Sequence, residues 1–218
     1  MPCYVITAPE SAQGIFETWD ECQAAKKGVK GVKHQKVETR EEAERMLRGE
    51  GVVLPPGLHV FTDGNDRGGV GVVVAWMGDD PKREPVVVTE IGTSVGHVFY
   101  DGLIPGLGSP EEIAQALEEA RNVLAELAGL YLALWQAPAS ATLTIVHDYK
   151  GVAKYFDSSW KTRGATLKGL IEACKALETE KQLDLTFVWQ RGHTSHWAGR
   201  HDLGRLNARA DQLATEAS

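Results

Sequence analysis

The hydrophobic and polar positions of residues 1–50 form short runs that predict a small module of the order ββαβα. The strand-like runs are CYVITA, GIFETW and VKHQKV, and the helix-like runs are TWDECQAAKKG and EEAERMLRG. Thr39 and Glu42 have the spacing of a capping box at the start of the second helix. Residues 51–57 then form a predicted linker, because Pro55-Pro56-Gly57 can continue neither a helix nor a central strand.

A longer pattern covers residues 58–218 and predicts the order βββαβααβα. It starts with the strand-like runs LHVFTDG, GVGVVVAWM and PVVVTEIGTS, of which the first two should pair antiparallel across a glycine-rich turn. A capped helix from Ser109 to about Gln136, the strand TLTIVH, two helices, the strand LDLTFVWQ and the helix RLNARADQLATEA follow. Residues 95–108 and 191–204 are predicted to be loops. This order is typical of an α+β or mixed α/β domain.

Composition narrows the class of protein without indicating an activity. The chain has 218 residues, 43% of them hydrophobic, and a net charge of −7, which is typical of a soluble protein and argues mildly against a general nucleic-acid binder. No apolar run reaches the roughly 18 residues of a membrane helix, and the N-terminus lacks the features of a secretory signal. Cys3, Cys22 and Cys174 are widely spaced, so we expect reduced cysteines in a cytoplasmic protein.

Four acidic residues are candidates for a shared site. Asp63 closes a strand-like run, Asp148 directly follows the strand TLTIVH, and Glu126 and Asp211 have apolar neighbours in predicted helices. A carboxylate among apolar neighbours needs a partner, and few cations lie near these residues in the sequence. Binding of a divalent metal would satisfy all four together. Oxygen ligands without histidine or cysteine at metal spacing favour Mg²⁺ or Mn²⁺ over Zn²⁺.

Each of these residues also has an ordinary structural explanation when it is considered alone. Asp63 could form the turn after its strand, and Asp148 could cap the short helix near YKGVAKYF. Glu126 and Asp211 could be solvated helix residues. A structural Ca²⁺ site is a further alternative, although the chain has no EF-hand run of ligands.

The motifs that contain these acidic residues resemble those of type 1 ribonucleases H. They are TDG on the first strand, N-x-x-x-E on the first long helix, an Asp after the fourth strand, and GH followed by N-x-x-A-D on the last helix. The resemblance covers residues 58–218 and implies a ribonuclease H-like fold, with a five-stranded mixed sheet flanked by helices. Residues 1–50 resemble the viroplasmin-like hybrid-binding domain that precedes many of these enzymes, through YVI, GIFETWDEC, GVKGVK and TREEAERML.

The resemblance implies an endoribonuclease that hydrolyses the RNA strand of an RNA/DNA hybrid and leaves 5′-phosphate and 3′-hydroxyl ends. Two Mg²⁺ ions would act in catalysis, with Mn²⁺ able to substitute. Asp63 would bridge both ions and Asp211 would complete the site of the ion that activates water. Glu126 and Asp148 would hold the second ion. His193, in the GH motif, would assist proton transfer or product release.

Nucleic-acid contacts of the larger module also follow from the resemblance. Gly64 and Asn65 would let the backbone approach the RNA strand closely, which allows contacts to 2′-hydroxyls. Asn122 lies one helical turn before Glu126 and would contact the minor groove. Asn207 would orient His193 or cap the last helix.

Further expected contacts lie at the DNA strand and in the N-terminal module. Trp160 and Lys161 match a Trp-Lys pair that lies near the DNA strand in the family, and a half-buried Trp160 is the structural alternative. Trp19, Lys33 and Lys36 are the expected contacts of the N-terminal module. Its first turn, PESAQG, lacks the cations of its relatives, and residues 1–50 contain eight Lys and Arg against nine Asp and Glu. We therefore expect this module to bind hybrid weakly or to have another role.

Two other functions remain open at this stage. The chain could be another metal nuclease of the same superfamily, such as a Holliday-junction resolvase or a transposase-like domain, although its last motif and its N-terminal module argue against this. It could also be a non-catalytic RNA/DNA hybrid-binding protein, although it keeps all four acidic residues. The loop from His193 to Asn207 is longer than usual, and Ala208 replaces the usual acidic residue after Asn207. We expect a monomer that binds hybrid and does not associate with membranes.

Overall fold

The computed structural model describes residues 2–37, 39–48, 54–80, 83–100, 104, 109–120, 122–190 and 201–218 and, of residues 100 and 201–203, the backbone alone. The chain divides into two compact units. The first lies within residues 1–53, and the second comprises most of residues 54–218. Within the ranges given above, no helix combines the length and the hydropathy needed to cross a membrane.

The first unit has the predicted order ββαβα. Its sheet has the order β2-β1-β3 with antiparallel pairing throughout. Thr18 and Thr39 cap the two helices, because each hydroxyl oxygen accepts a hydrogen bond from the backbone N–H three residues later, at 3.3 and 3.2 Å. The elements are β1 Cys3–Ala8, β2 Gly14–Phe16, α1 Trp19–Lys26, β3 Lys33–Val37 and α2 Arg40–Leu47.

The second unit is a five-stranded mixed sheet with helices, so the mixed α+β fold predicted from the sequence is confirmed. The strand order is β6-β5-β4-β7-β8; β4, β7 and β8 are parallel, and β5 and β6 are antiparallel to their neighbours. The strands are β4 Gly57–Gly64, β5 Gly69–Met77, β6 Val86–Ser94, β7 Thr142–His147 and β8 Asp184–Trp189. The helices are α3 Val95–Tyr100, α4 Pro110–Ala120, α5 Asn122–Gln136, α6 Gly151–Phe156, α7 Ala165–Lys181 and α8 His201–Glu216.

Helix α5 is the centre of the core. It is apolar around its whole circumference, and every residue from Leu124 to Leu134 is buried. It contacts β4, β5 and α7, which explains why no polar face is present. Glu126 is the single carboxylate in this buried stretch, so it is surrounded by packed side chains and not by solvent.

Two predicted boundaries in the second unit are wrong. The predicted loop 95–108 contains α3, because Val95, Val98 and Phe99 bury one face of a helical turn and the Ser94 hydroxyl accepts from the backbone N–H of His97 at 3.2 Å. Helix α8 begins four residues before the predicted start at Arg205. The predicted loop included Gly204, but a single glycine costs a helix only about 1 kcal/mol, which tertiary contacts can offset.

Such contacts hold α8 against the edge strand β6. The Arg209 guanidinium donates two hydrogen bonds to the Glu90 carboxylate, at 3.1 and 2.8 Å, and Arg205 makes a single, more exposed pair with Glu84 at 3.2 Å. The Arg209 side chain lowers the pKa of Glu90 by hydrogen bonding. Because α8 also carries Asp211, this fork helps to set the orientation of that residue.

Glu90→Gln is expected to destabilise the second unit by about 1 kcal/mol or less, since the pair is about one-third exposed. Thermal unfolding at low and high salt measures this, and the loss should shrink with salt. A carboxylate with a lowered pKa stabilises above its unfolded pKa, so the contribution should also fade as the pH drops below about 4.5. Glu84→Gln is the matched control and should change little; an equal effect of both variants would contradict the role of the fork.

Candidate metal centre

Asp63 and Asp148 lie side by side at one edge of the sheet. The parallel pairing of β4 with β7 places Thr62 opposite His147, so the next residue on each strand continues the same register. Asp63 is still within β4 and pairs with Gly71, whereas the turn after β4 is closed by the Asn65 N–H, which donates to the Gly69 carbonyl at 3.0 Å. Asp63 therefore does not form this turn. Nor is Asp148 the cap of α6, whose N-cap is Lys150.

Glu126 reaches the same edge because β4 and α5 are in close contact. A Cβ atom on Gly64 would overlap the backbone at Ala125 and Glu126, so only glycine allows this approach. Glu126 is 2% exposed, and its Oε2 atom has no hydrogen-bond partner among the described residues. A buried carboxylate oxygen without a donor is costly unless a cation occupies the site.

Asp211 comes from the opposite side, on α8. The helix lies directly against β5, because a Cβ atom on Gly69 or Gly71 would clash with the backbone carbonyl of Ala214 or Ala210. This contact brings the Asp211 side chain into hydrogen-bonding range of Asp63. Two helices on different faces of the sheet thus deliver one acidic residue each to the pair at the strand ends.

The four carboxylates form one electrostatic cluster. Ligand oxygens of Asp63, Glu126 and Asp148 all lie within 4.8 Å of one another. Burial, followed by the charges of Asp148 and Asp211, raises the pKa of Asp63 to about 8, and burial together with Asp63 and Asp148 raises the pKa of Glu126 well above its ordinary value. The structure shows no ion pair between Asp63 or Glu126 and a lysine or arginine of the described ranges.

This donor set fits a hard divalent cation. It offers carboxylate oxygens only, they converge within metal-binding distance, and their mutual repulsion is relieved by positive charge. The hydrogen bond that lowers the pKa values of Asp63 and Glu126 comes from the backbone of Gly64. Mg²⁺ and Mn²⁺ prefer this ligand chemistry, whereas zinc sites use His and Cys.

The four asparagine and glycine residues expected to contact nucleic acid have different environments. Asn122 is exposed at the first position of α5. The Asn65 side chain accepts from the backbone N–H groups of Arg67 and Gly69 and donates to the Ala214 carbonyl at 2.9 Å, so it ties the turn to α8. Gly64 is required by the packing of α5, as described above. A contact of Gly64 or Asn65 with RNA would therefore involve the backbone.

Asn207 is buried at 6% exposure, one helical turn before Asp211, and its Oδ1 atom has no partner among the described residues. It lies inside α8, so the expectation that it caps the helix is wrong. His193, which it was expected to orient, lies outside the described residues.

Trp160 and Lys161 lie between α6 and α7. Trp160 is 45% exposed, and its ring packs edge-on against Tyr155 at 5.6 Å. Lys161 lines a groove of about 550 Å³ in which Arg163 supplies a second cation and Glu112 and Glu119 supply acidic groups. Trp160 is thus half-buried, as the structural alternative expected, and the exposed part of its ring is accessible to a ligand.

In the first unit, Trp19 is part of an aromatic cluster. Its ring lies 5.2 Å from Tyr4 and 5.4 Å from His34, and the Lys26 ammonium lies 4.8 Å from the ring centroid. Trp19 remains 38% exposed. Lys33 and Lys36 are three residues apart on β3, so their side chains point to opposite faces of the sheet. At most one of the two can share a binding face with Trp19.

The sequence did not single out Trp189, although it contacts the candidate site. Its indole Nε1–H donates to the backbone carbonyl of Asp148 at 2.8 Å. His147 is neutral at physiological pH, since burial lowers its pKa to about 4, and its Nδ1–H donates to the Tyr149 carbonyl at 2.9 Å. Trp189 lies beside His147 and Asp148 because the parallel register of β7 and β8 pairs it with His147. No local pattern in the sequence indicates this register.

Comparison with known proteins supports the interpretation of the first unit. Residues 2–47 match the family model of the ribonuclease H1 N-terminal domain, so the recognition of this module is confirmed. A search of curated proteins found no match to the chain. The family match lies within the first unit.

Three similar solved structures each cover 73% of this chain. One is the N-terminal RNase H domain of a Mycobacterium tuberculosis protein, at 23% identity and a TM-score of 0.47, covering 73% of this chain and 97% of that one. Another is RNase H1 from Halobacterium salinarum NRC-1, at 22% identity and a TM-score of 0.45, covering 73% and 96%. A third, LC11-RNase H1 in complex with an RNA/DNA hybrid, has 20% identity and a TM-score of 0.47 and covers 73% and 95%.

Proposed function

We propose that the chain is a ribonuclease H, a metal-dependent endonuclease that hydrolyses the RNA strand of an RNA/DNA hybrid and leaves 5′-phosphate and 3′-hydroxyl ends. The observation that carries the proposal is the cluster of the buried Asp63 and Glu126 with the half-buried Asp148, joined by Asp211. Four carboxylates that converge at one end of the sheet are unfavourable for stability, and a site for divalent metal explains why they are there. The match of residues 2–47 to the ribonuclease H1 N-terminal domain supports the same activity.

The four acidic residues would hold two Mg²⁺ ions, with Mn²⁺ as a substitute. Bound divalent ions supply Lewis-acid stabilisation of phosphodiester charge and lower the pKa of water. The charges of both Asp148 and Asp211 act on Asp63, which makes Asp63 suited to bridge two ions. Glu126 and Asp148, whose ligand oxygens lie within 4.8 Å of each other, would hold one ion, and Asp211 would complete the site of the other. His193 is proposed to assist proton transfer or product release.

The surroundings of the cluster would bind the hybrid. Asn122 is exposed one turn from Glu126, and the backbone at Gly64 and Asn65 borders the carboxylates, which supports the proposal that these residues contact the RNA strand. Trp160 and Lys161 offer an accessible aromatic face and a cation for the DNA strand.

The first unit, within residues 1–50, is proposed to add a weak hybrid contact through Trp19 and either Lys33 or Lys36. Trp19 keeps an exposed face beside aromatic neighbours, which is the arrangement that stacks on nucleic acid. The linker 51–57 and the catalytic module 58–218 complete the proposed organisation, and the protein is proposed to act as a monomer.

The test is cleavage of a labelled RNA/DNA hybrid in the presence of Mg²⁺ or Mn²⁺, with double-stranded RNA and DNA as controls. We expect cutting of the RNA strand of the hybrid alone, and a loss of at least about 100-fold in rate for Asp63→Asn. Asp184→Asn removes the same charge from the exposed start of β8 and should keep full activity.

Other outcomes would decide between the remaining functions. Hybrid binding without cutting, with either metal, would favour a non-catalytic hybrid-binding protein. Cutting of branched DNA with no cutting of hybrid would favour another nuclease of the superfamily. Equal activity of Asp63→Asn and wild type would remove the carboxylate cluster from the mechanism.

A further inference from the structure

The loop that follows β7 is held by two ring side chains. His147 donates to the Tyr149 carbonyl, and Trp189 donates to the Asp148 carbonyl at 2.8 Å. Trp189 is the last residue of β8 and lies opposite His147 in the parallel pair, so its position is set by the sheet. The backbone of Asp148 is therefore fixed by a group on a rigid strand rather than by the loop itself.

Lys150 contacts the ring of the same tryptophan, Trp189. Its ammonium lies 4.3 Å from the centroid of the Trp189 ring, and the side chain is exposed. Among the described residues it forms no ion pair with an acidic group, unlike Lys168, which pairs with Glu172 at 3.8 Å. A cation–π contact at an exposed site is worth about 0.5–1 kcal/mol, which favours one position of the ammonium and leaves its N–H donors available.

We propose that Lys150 binds a backbone phosphate of the nucleic acid beside the carboxylate cluster, and that Trp189 is the positioning residue that holds Lys150 and Asp148 together. One indole makes both contacts, so the cation and the carboxylate residue keep a fixed relation to each other. A cluster of four carboxylates repels a phosphodiester, and a cation at its border reduces that repulsion for the neighbouring phosphate. The inference rests on the proposed function, since it assigns a substrate contact to that site.

Binding is measured on an Asp63→Asn background, in which the hybrid should remain intact, at several salt concentrations with Mg²⁺. The affinity constant K falls as salt rises, and one lost phosphate contact makes the slope of log K against log salt less steep by about 0.9. Between about 50 and 200 mM salt, the reference should therefore lose about 3.5-fold more affinity than the variant that also carries Lys150→Gln. Lys168→Gln removes the same charge from an exposed surface pair and should leave the slope unchanged.

Two variants of Trp189 separate its contacts. Trp189→Leu removes the aromatic ring and should reproduce the reduced salt slope, with little further change when it is combined with Lys150→Gln. Trp189→Phe keeps a ring below Lys150 but lacks the N–H donor to Asp148. It should keep most of the slope and instead lower kcat in the otherwise wild-type enzyme, whereas Lys150→Gln should mainly raise KM.

The results also separate this inference from the proposed function. If wild type cuts hybrid but Lys150→Gln leaves the salt slope and KM unchanged, Lys150 only covers the tryptophan and the inference fails while the function stands. If the protein binds hybrid without cutting and Lys150→Gln still lowers the slope, the function fails and the phosphate contact stands. Absence of any hybrid binding would overturn both.

Discussion

Asp63→Asn is expected to raise the melting temperature of the metal-free protein at about pH 8, although it should abolish cleavage. Burial and the neighbouring acidic residues Asp148 and Asp211 raise the pKa of Asp63 to about 8. The native state therefore binds this proton more tightly than the unfolded state, whose pKa is 3.8. Stability from this group is complete at low pH and is lost as the pH rises through the interval between these two values. Asparagine carries no charge at any pH, so the variant should not lose stability in this way as the pH rises.

The measurement is thermal unfolding in EDTA at several pH values. A gain of about 1–2 kcal/mol at pH 8 corresponds to roughly 2–8 °C for a unit of this size, and it should be close to zero near pH 4, where wild-type Asp63 is protonated in the native state. Added Mg²⁺ should stabilise wild type more than the variant, since only wild type has the complete ligand set. Asp184→Asn is the control. A lower melting temperature for Asp63→Asn at pH 8 in EDTA would mean that the carboxylate stabilises the fold.

The second large effect is expected at Gly71, where β5 meets α8. An added Cβ atom would clash with the backbone carbonyl of Ala210, and backbone in the middle of a helix cannot move away as a side chain can. Gly71→Ala should therefore destabilise the second unit by about 3 kcal/mol or more. Because Asp211 follows Ala210, displacement of α8 should also reduce the activity of molecules that remain folded.

Gly204→Ala provides a matched control on the same helix. Among the described residues, none has an atom within 4 Å of a Cβ atom at that position, so the substitution should stabilise α8 by up to about 1 kcal/mol. Chemical denaturation of both variants, together with their cleavage rates, tests the argument. Wild-type stability of Gly71→Ala would show that the contact between β5 and α8 is looser than the structure has it.

The secondary structure was largely predictable because local signals define it. The predicted capping box at Ser109 is present, with hydrogen bonds of 2.8 and 3.3 Å to and from Glu112. The order of the strands in both units follows the periodicity of the sequence. The second unit has the additional helix α3, and it has α4 and α5 where one helix from Ser109 to about Gln136 was predicted. The errors at α3 and at the start of α8 arose where glycines masked helical turns that tertiary contacts stabilise. Helix propensity depends on local sequence and therefore does not predict the effect of those tertiary contacts.

The local sequence pattern indicates which residues carry charge among apolar neighbours, and hence that Asp63, Glu126, Asp148 and Asp211 are candidates for one site. The folded chain is needed to know that they meet, because their proximity depends on the parallel register of β4 with β7 and on glycines that let α5 and α8 approach the sheet. It also decided the environment of the cluster, including the contacts of Trp189 with Asp148 and Lys150. Residues far apart in the chain leave no local pattern of such contacts, since the contacts arise from strand pairing and close packing.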